Sequence, residues 1–238
     1  MTMRPVRDLA LLLPLALFAP ACLFGSGVAQ TEVRELGEFT AIHNAAALDV
    51  EIEYVTPGTA LEPAELTCDD NLLDDIDTEV DGGVLRIDTG RRDLRTHTTC
   101  KLWLQASSLS TLAISGPGSI TAEGPFGIDR IDVDGPADLV VRGLVSRKLV
   151  VTADGPSHVA LSGEVETAEI HVDGPTDIEA AGLQVQSLVF DGSGPLSADL
   201  YASERAEVVL DGPGDVRVHG DPADRDVDVD GPGDVDFE

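Results

Sequence analysis

Aromatic residues are scarce in this chain: Phe, Trp and Tyr together make up 4% of 238 residues, with a single Trp. Any interior it builds is therefore aliphatic. Trp103, Tyr54 and Tyr201 are too scattered to make a stacked platform for sugars or bases. Basic residues are also few, 15 Lys and Arg against 44 Asp and Glu, for a formal charge of -29. That balance excludes binding to nucleic acid or to an anionic lipid surface, because phosphate would be repelled. The apolar run at the start, Leu9 to Phe18, is half the length of about 20 residues that a membrane-crossing helix needs. No GxSxG, HExxH or phosphate-cradling glycine loop is present. The five histidines, at 43, 97, 158, 171 and 219, share no repeat column. Neither Cys68 nor Cys100 has a CxxC neighbour, which argues against a thiolate metal site.

Several features are nevertheless present. Arg4 and Arg7 precede the apolar run, and Ala19-Pro20-Ala21-Cys22 follows it. A basic start, a short apolar stretch and small residues before a cysteine read as a signal peptide over 1–21, cut before Cys22. A cysteine at that place resembles the lipobox of bacterial lipoproteins, which implies a lipid on Cys22; plain secretion is the alternative. The expected product is an exported protein of the cell envelope, an outer-membrane lipoprotein or a periplasmic protein, with residues 22–32 as a tether. In an oxidising compartment Cys68 and Cys100 form a disulfide, the alternative being two buried thiols.

From residue 115 onward one phrase recurs: SGPGSI at Ser115, DGPADL at Asp134, DGPSHV at Asp154, DGPTDI at Asp173, SGPLSADL at Ser193, and DGPGDV at Asp211 and Asp230. The glycines fall at 116, 135, 155, 174, 194, 212 and 231, spaced 18 to 20 apart. A fixed period of this size signals stacked units. Apolar residues alternate with polar ones on both sides of each turn, which is strand periodicity. Before the turn the pairs read Leu112/Ile114, Ile131/Val133, Leu149/Val151, Ile170/Val172, Leu188/Phe190, Val208/Leu210 and Val227/Val229. After it they read Ile120/Ala122, Leu139/Val141, Val159/Leu161, Ile178/Ala180, Ala198/Leu200, Val216/Val218 and Val235/Phe237. An antiparallel meander would use the same strands, but a constant period with a constant turn favours coils. The expected fold is all-β, a parallel β-helix (β-solenoid) with about 19–20 residues per coil and an irregular N-terminal β cap. Repeats span 111–238 and the cap 33–110. Further corners are expected at Gly124, Gly143, Gly163, Gly182 and Gly220.

The Gly-Pro turns place acids in two columns: Asp134, Asp154, Asp173, Asp211 and Asp230, then Asp138, Asp177, Asp215 and Asp234. Stacked carboxylates repel unless screened or bridged. Ca²⁺ is therefore a candidate ligand of these columns, against a solvated, charged edge with local turn hydrogen bonds.

The N-terminal half carries strand-like pieces at Phe39–Ile42, Leu48–Tyr54, Leu85–Asp88 and Lys101–Gln105, a short helix or turn near Asp69–Ile76, and a polar, irregular stretch over 26–38. Its ordered phrases are Arg34-Glu35-Leu36-Gly37-Glu38-Phe39-Thr40-Ala41-Ile42, Leu48-Asp49-Val50-Glu51-Ile52, Asp69-Asp70-Asn71-Leu72-Leu73, Glu79-Val80-Asp81-Gly82-Gly83-Val84-Leu85-Arg86-Ile87, and Leu109 to Ile120. In these the chain resembles the head GIN domain family, labelled "putative auto-transporter adhesin", in which the last phrase usually reads Ser-Gly-Ser-Gly-Asp-Ile; here Pro replaces the second Ser. The resemblance implies a β-helix-like fold and an exported, often lipid-anchored protein, and it brings no catalytic or ligand residue. The expected function is a binding or adhesive envelope protein whose partners are the membrane, through the lipid, and an envelope or extracellular glycan or protein. The alternatives are a non-binding structural protein and a polysaccharide lyase or hydrolase. Arg91-Arg92 with Arg95 is the only basic cluster in the body and reads as a solvated loop.

Overall fold

In a computed structural model, residues 23–90 and 94–238 are described. The leader, Cys22 and the Arg91-Arg92 pair lie outside them. The described chain is all-β apart from one 3-10 turn, in a body of stacked parallel coils. In chain order the strands are β1 (Leu23–Phe24), β2 (Ala29–Arg34), β3 (Ala41–Asn44), β4 (Asp49–Tyr54), β5 (Ala64–Asp69), β6 (Asp77–Asp81), β7 (Val84–Asp88), β8 (Leu94–Arg95), β9 (Lys101–Ala106), β10 (Thr111–Ile114), β11 (Ser119–Glu123) and β12 (Arg130–Asp134). They continue as β13 (Ala137–Asp154), β14 (Ser157–Asp173), β15 (Thr176–Ser193), β16 (Leu196–Tyr201), β17 (Arg205–Asp211), β18 (Gly214–His219), β19 (Asp224–Asp230) and β20 (Asp234–Phe237).

Residues before each Gly-Pro turn pair in parallel with the equivalent residues of the next level, from β10–β12 through β17–β19. Residues after the turn do the same from β11–β13 through β18–β20. In the middle of the stack β13, β14 and β15 each run through a complete coil and add a short third face near 144–146, 163–165 and 183–185. Strand alternation sends every second residue inward. Val133, Val151 and Val172 are 2%, 0% and 4% exposed, so the expected shared aliphatic interior is present. One contiguous core runs from Ile42 to Val218.

The residues after each turn stack as expected, Ile120 to Leu139 to Val159 to Ile178 to Ala198 to Val216 to Val235. Before the turn, two of the expected pairs are displaced. The observed inner pairs are Val151/Ala153 and Phe190/Gly192, two residues later than Leu149/Val151 and Leu188/Phe190. Ala153 and Gly192 carry too little apolar bulk to announce themselves as core positions. Gly192 has a steric reason: a Cβ there would lie 2.6 Å from Leu196 and 2.7 Å from Phe190. Leu196 breaks the run of small residues after proline, and glycine on the opposite side of the corner makes the room for it.

The corner itself follows from Gly and Pro. Gly135, Gly155, Gly174, Gly194, Gly212 and Gly231 have φ between 86° and 129°, a region that side chains disfavour. The N–H of each of the first five donates to the residue ahead of the turn on the next level, as Gly155 does to Asp173 O at 2.9 Å. Proline then offers no N–H, and the strand pairing resumes at the following residue. At the second corner Gly124, Gly143, Gly163 and Gly220 also have positive φ, whereas Gly182 does not.

The N-terminal half is more than a cover. β3 and β4 pair in parallel with β10 and β11, and β7 and β9 pair in parallel with β3 and β4. They form two further levels of the same solenoid, stacked out of chain order: the level from 84–106 lies beneath that from 41–54, which lies beneath 111–123. Antiparallel strands then close the end, with β6 on β7, β5 on β9 and β2 on β5. The stretch 26–38 is therefore partly ordered strand, and the segment read as a tether over 22–32 includes β1, paired with β8, and the start of β2. β2 escapes a periodicity reading because four of its six residues are exposed on an outer edge, with no apolar face to keep. The 3-10 turn Leu73–Asp75 falls inside the expected Asp69–Ile76 segment.

Candidate functional site

The disulfide Cys68–Cys100 joins β5 to the residue before β9 across 32 positions. Beside it, the buried Asp69 carboxylate accepts N–H groups from Gly27 at 2.7 Å, His97 at 2.8 Å and Thr98 at 3.3 Å. Burial pushes this carboxyl up, but the N–H groups of His97, Thr98 and Gly27, with the charge of His97, outweigh it and hold Asp69 below its ordinary value. Gly25 is packed so closely on Asp69 that a Cβ would collide with the carboxylate. This arrangement fixes the capped end of the solenoid.

Surface chemistry collects elsewhere, on the short third face. There a groove of about 620 Å³ runs across successive levels, lined by Gly127 and Asp129, then Val145–Arg147, Glu164–Glu166, Gln184–Gln186, and Tyr201 with Ser203. The strand ladder places its walls. Val145 N–H donates to Phe126 O at 2.9 Å, and Ser203 N–H to Val185 O at 2.9 Å, so each segment sits one level above the last. The Ser146 hydroxyl is 2.9 Å from Asp129 Oδ1 and 3.0 Å from Lys148 O. Val145 is 53% exposed and gives the groove an apolar wall. Most basic side chains of the body are tied into ion pairs, among them Arg142–Glu123, Lys148–Glu169 and Arg205–Asp224. Arg147 has no such partner among the described residues, so its guanidinium is available at the groove. Single-sequence reading missed this site because its residues lie on the irregular part of the period. Tyr201 is isolated in sequence, yet it is the groove's aromatic wall; Trp103 and Tyr54 lie away from it.

The aspartate columns are located as the repeat implies but are not continuous. The first runs Asp134, Asp154, Asp173, Ser193, Asp211, Asp230, with Ser193 Oγ donating to Asp173 Oδ1 at 3.1 Å. The second runs Asp138, His158, Asp177, Ser197, Asp215, Asp234. A neutral residue between carboxylates dilutes the repulsion that an unbroken stack would carry. Asp134, Asp154, Asp173, Asp211 and Asp230 are exposed, so their charge is shared with solvent. Arg95, from the expected basic cluster, is an exposed residue of β8.

No described helix is long and apolar enough to cross a membrane. Among solved structures, the chain is similar to a "putative adhesin" from Bacteroides fragilis, with 20% identity, TM-score 0.83, and coverage of 91% of this chain and 100% of that one. A "putative adhesin" from Parabacteroides distasonis gives 20% identity, TM-score 0.68, and coverage of 92% and 100%. A "Putative lipid binding protein" from the same species gives 20% identity, TM-score 0.65, and coverage of 92% and 100%. At these identities the likeness establishes the shared fold. No curated protein matches the chain. The family model described as "Putative auto-transporter adhesin, head GIN domain" matches residues 38–222, and the chain belongs to that family.

Proposed function

We propose that this protein is an exported, lipid-anchored envelope protein of adhesin type, and that the groove on the third face holds a hydroxyl-rich polymer such as an envelope or extracellular glycan. The groove carries the reading. It offers amide, hydroxyl and carboxylate groups at successive levels, the Arg147 guanidinium, which has no ion pair among the described residues, and a tyrosine wall. The levels are about 4.8 Å apart, close to the length of one sugar ring, so a chain lying along the solenoid axis meets a similar set of groups at each residue. Few deeply buried surfaces line such a groove, which suits reversible capture through many weak contacts better than tight binding of one small molecule.

Export and anchoring rest on the sequence: the basic start, the short apolar run and the Ala19-Pro20-Ala21-Cys22 phrase. The family's adhesin description and the disulfide agree with a compartment outside the cytoplasm. Binding of purified peptidoglycan and of a panel of neutral and basic polysaccharides tests the groove. Tyr201→Ala and Arg147→Ala are expected to weaken binding at least tenfold while the melting temperature stays within a few degrees of the parent. Retention of a glycan by both variants would move the binding away from this groove, and no binding by the parent leaves the non-binding structural reading. Release of oligosaccharide fragments would favour the polysaccharide-active one. Mass spectrometry of the mature N-terminus tests the anchor: diacylglycerol on Cys22 is expected, and a bare thiol refutes it.

A further inference from the structure

The two coil corners, the capped end, the groove and the five histidines differ in how fully their polar groups are satisfied. His43 is hydrogen-bonded to Ser115 at 2.8 Å, and His219 Nε2 to Asp199 Oδ1 at 2.9 Å. His158 has no hydrogen-bond partner among the described residues. It lies in the second column of the Gly-Pro corner, on β14, with Asp138 on the level before it and Asp177 on the level after. Glu179 is two residues beyond Asp177 on β15, on the same face. Its register partner on the His158 level is the small Ala160, so the glutamate can lean diagonally across toward the imidazole.

We propose that His158, Asp177 and Glu179 form a binding site for one first-row divalent metal ion of the zinc type. One ligand atom from each of the three converges with the others within 4.8 Å. His158 Nε2 and Glu179 Oε1 are 3.5 Å apart. That is beyond an ordinary N–H···O bond of about 2.7–3.2 Å. It matches the separation, about 3.4 Å, of two ligands each about 2.1 Å from one tetrahedral ion. A rotation of the Asp177 side chain completes the set. One imidazole with two carboxylates suits Zn²⁺ or a similar ion better than Ca²⁺, which takes six to eight oxygens. Three protein ligands leave a coordination position open to water. The ladder holds the backbone of both strands in place, so binding needs side-chain movement alone. The site is separate from the groove of the proposed function and does not depend on it.

The site arises from one departure in the repeat. Where neighbouring levels have Asp138 and Asp177, the phrase DGPSHV puts a nitrogen ligand between two carboxylates. An acidic protein also collects cations diffusely, so the test must separate a site from a cloud. Untagged protein is titrated with Zn²⁺, and in parallel with Co²⁺ followed by its visible absorption, at physiological ionic strength in a millimolar excess of Mg²⁺. Saturation at one ion per chain is expected. His158→Ala should abolish it and Glu179→Gln should weaken it tenfold or more. His219→Ala should leave it unchanged. The imidazole NMR signals of His158 in the unaltered protein should move on adding Zn²⁺, a readout that does not depend on how any variant folds. Binding that fails to saturate, saturation that survives His158→Ala in folded protein, or His158 signals that stay in place would each overturn the proposal.

Discussion

The middle coils and the capped end of this solenoid share one core and differ in what specifies them. Between Arg130 and Tyr201 each level pairs with the next one in the chain, and the same turn is reused with Gly stacked on Gly. Side chains there are interchangeable in kind: aliphatic inside, acidic or polar outside. Between Leu23 and Ala106 neighbouring levels come from distant segments, and antiparallel strands, a disulfide and a buried carboxylate hold them. The corner between β3 and β4 has no Gly-Pro. Instead, buried Asn44 accepts the Ala46 N–H and donates to Leu48 O, both at 3.1 Å. Periodicity thus builds the middle, and individual polar contacts build the end.

The sharpest way to break that contrast is to place the same substitution in both regions. Gly163, at a middle corner, has φ of 139°, and a Cβ there would sit 2.0 Å from Leu144 O. Gly163→Ala is expected to cost about 4 kcal/mol, from backbone strain and overpacking together. Gly83, in the β6–β7 hairpin, also has positive φ but open space around it. Gly83→Ala should cost only about 1–2 kcal/mol. Chemical denaturation measures both, and equal losses would mean that backbone conformation, not close stacking, sets the middle coils.

Removing the Cys68–Cys100 bond by a double alanine substitution should cost about 3–4 kcal/mol by the loop-entropy relation. Hydrogen exchange locates the loss. Amides of β5 and β9 should lose protection before those of β14 and β15, whereas uniform loss would show the two regions to be one cooperative unit.

A smaller effect depends on pH. Asp69 is held below the ordinary carboxylate value in the folded state, so its contribution is fully present above that ordinary value and is lost as pH falls through the lowered one. Melting curves between neutral pH and pH 2 should show part of the acid loss disappearing in Asp69→Asn, and that part should come from the capped end. An acid profile unchanged by the substitution would remove Asp69 from the account.

The smallest effect belongs to the middle. Lys148 and Glu169 pair across adjacent levels at 2.7 Å with side chains 55% and 38% exposed. A double-mutant cycle should give a coupling of about 0.2–1 kcal/mol, shrinking with added salt.

The same contrast governs what the sequence makes legible. In the repeat, Ile120, Leu139, Val159 and Ile178 announce their column because each is large, apolar and at a fixed distance from Gly-Pro. Ala153 and Gly192 hold core positions without apolar bulk, so the expected pairs there were displaced by two residues. At the capped end, nothing local in Val84–Asp88 or Lys101–Ala106 says that these strands lie under 41–54; that order is set by pairing between distant segments. The cysteine pair was legible because only two cysteines remain after Cys22 is set aside. The groove was not, because its residues occupy the short third strands, where the period is irregular. His158 was rightly seen to share no histidine column. Its neighbours Asp177 and Glu179 are acids, and only the register brings them together.

The level formed by 41–54 cannot gain its lower neighbour until residue 106 has been made, and it then supplies the template on which 111–123 is laid. Growth beyond that point needs only a copy of what precedes it. Duplication or loss of one nineteen- or twenty-residue unit between Gly135 and Gly194 would therefore lengthen or shorten the body by one strand spacing, about 4.8 Å, and leave the foundation untouched. In such an architecture, reach is a heritable quantity that evolves in fixed increments.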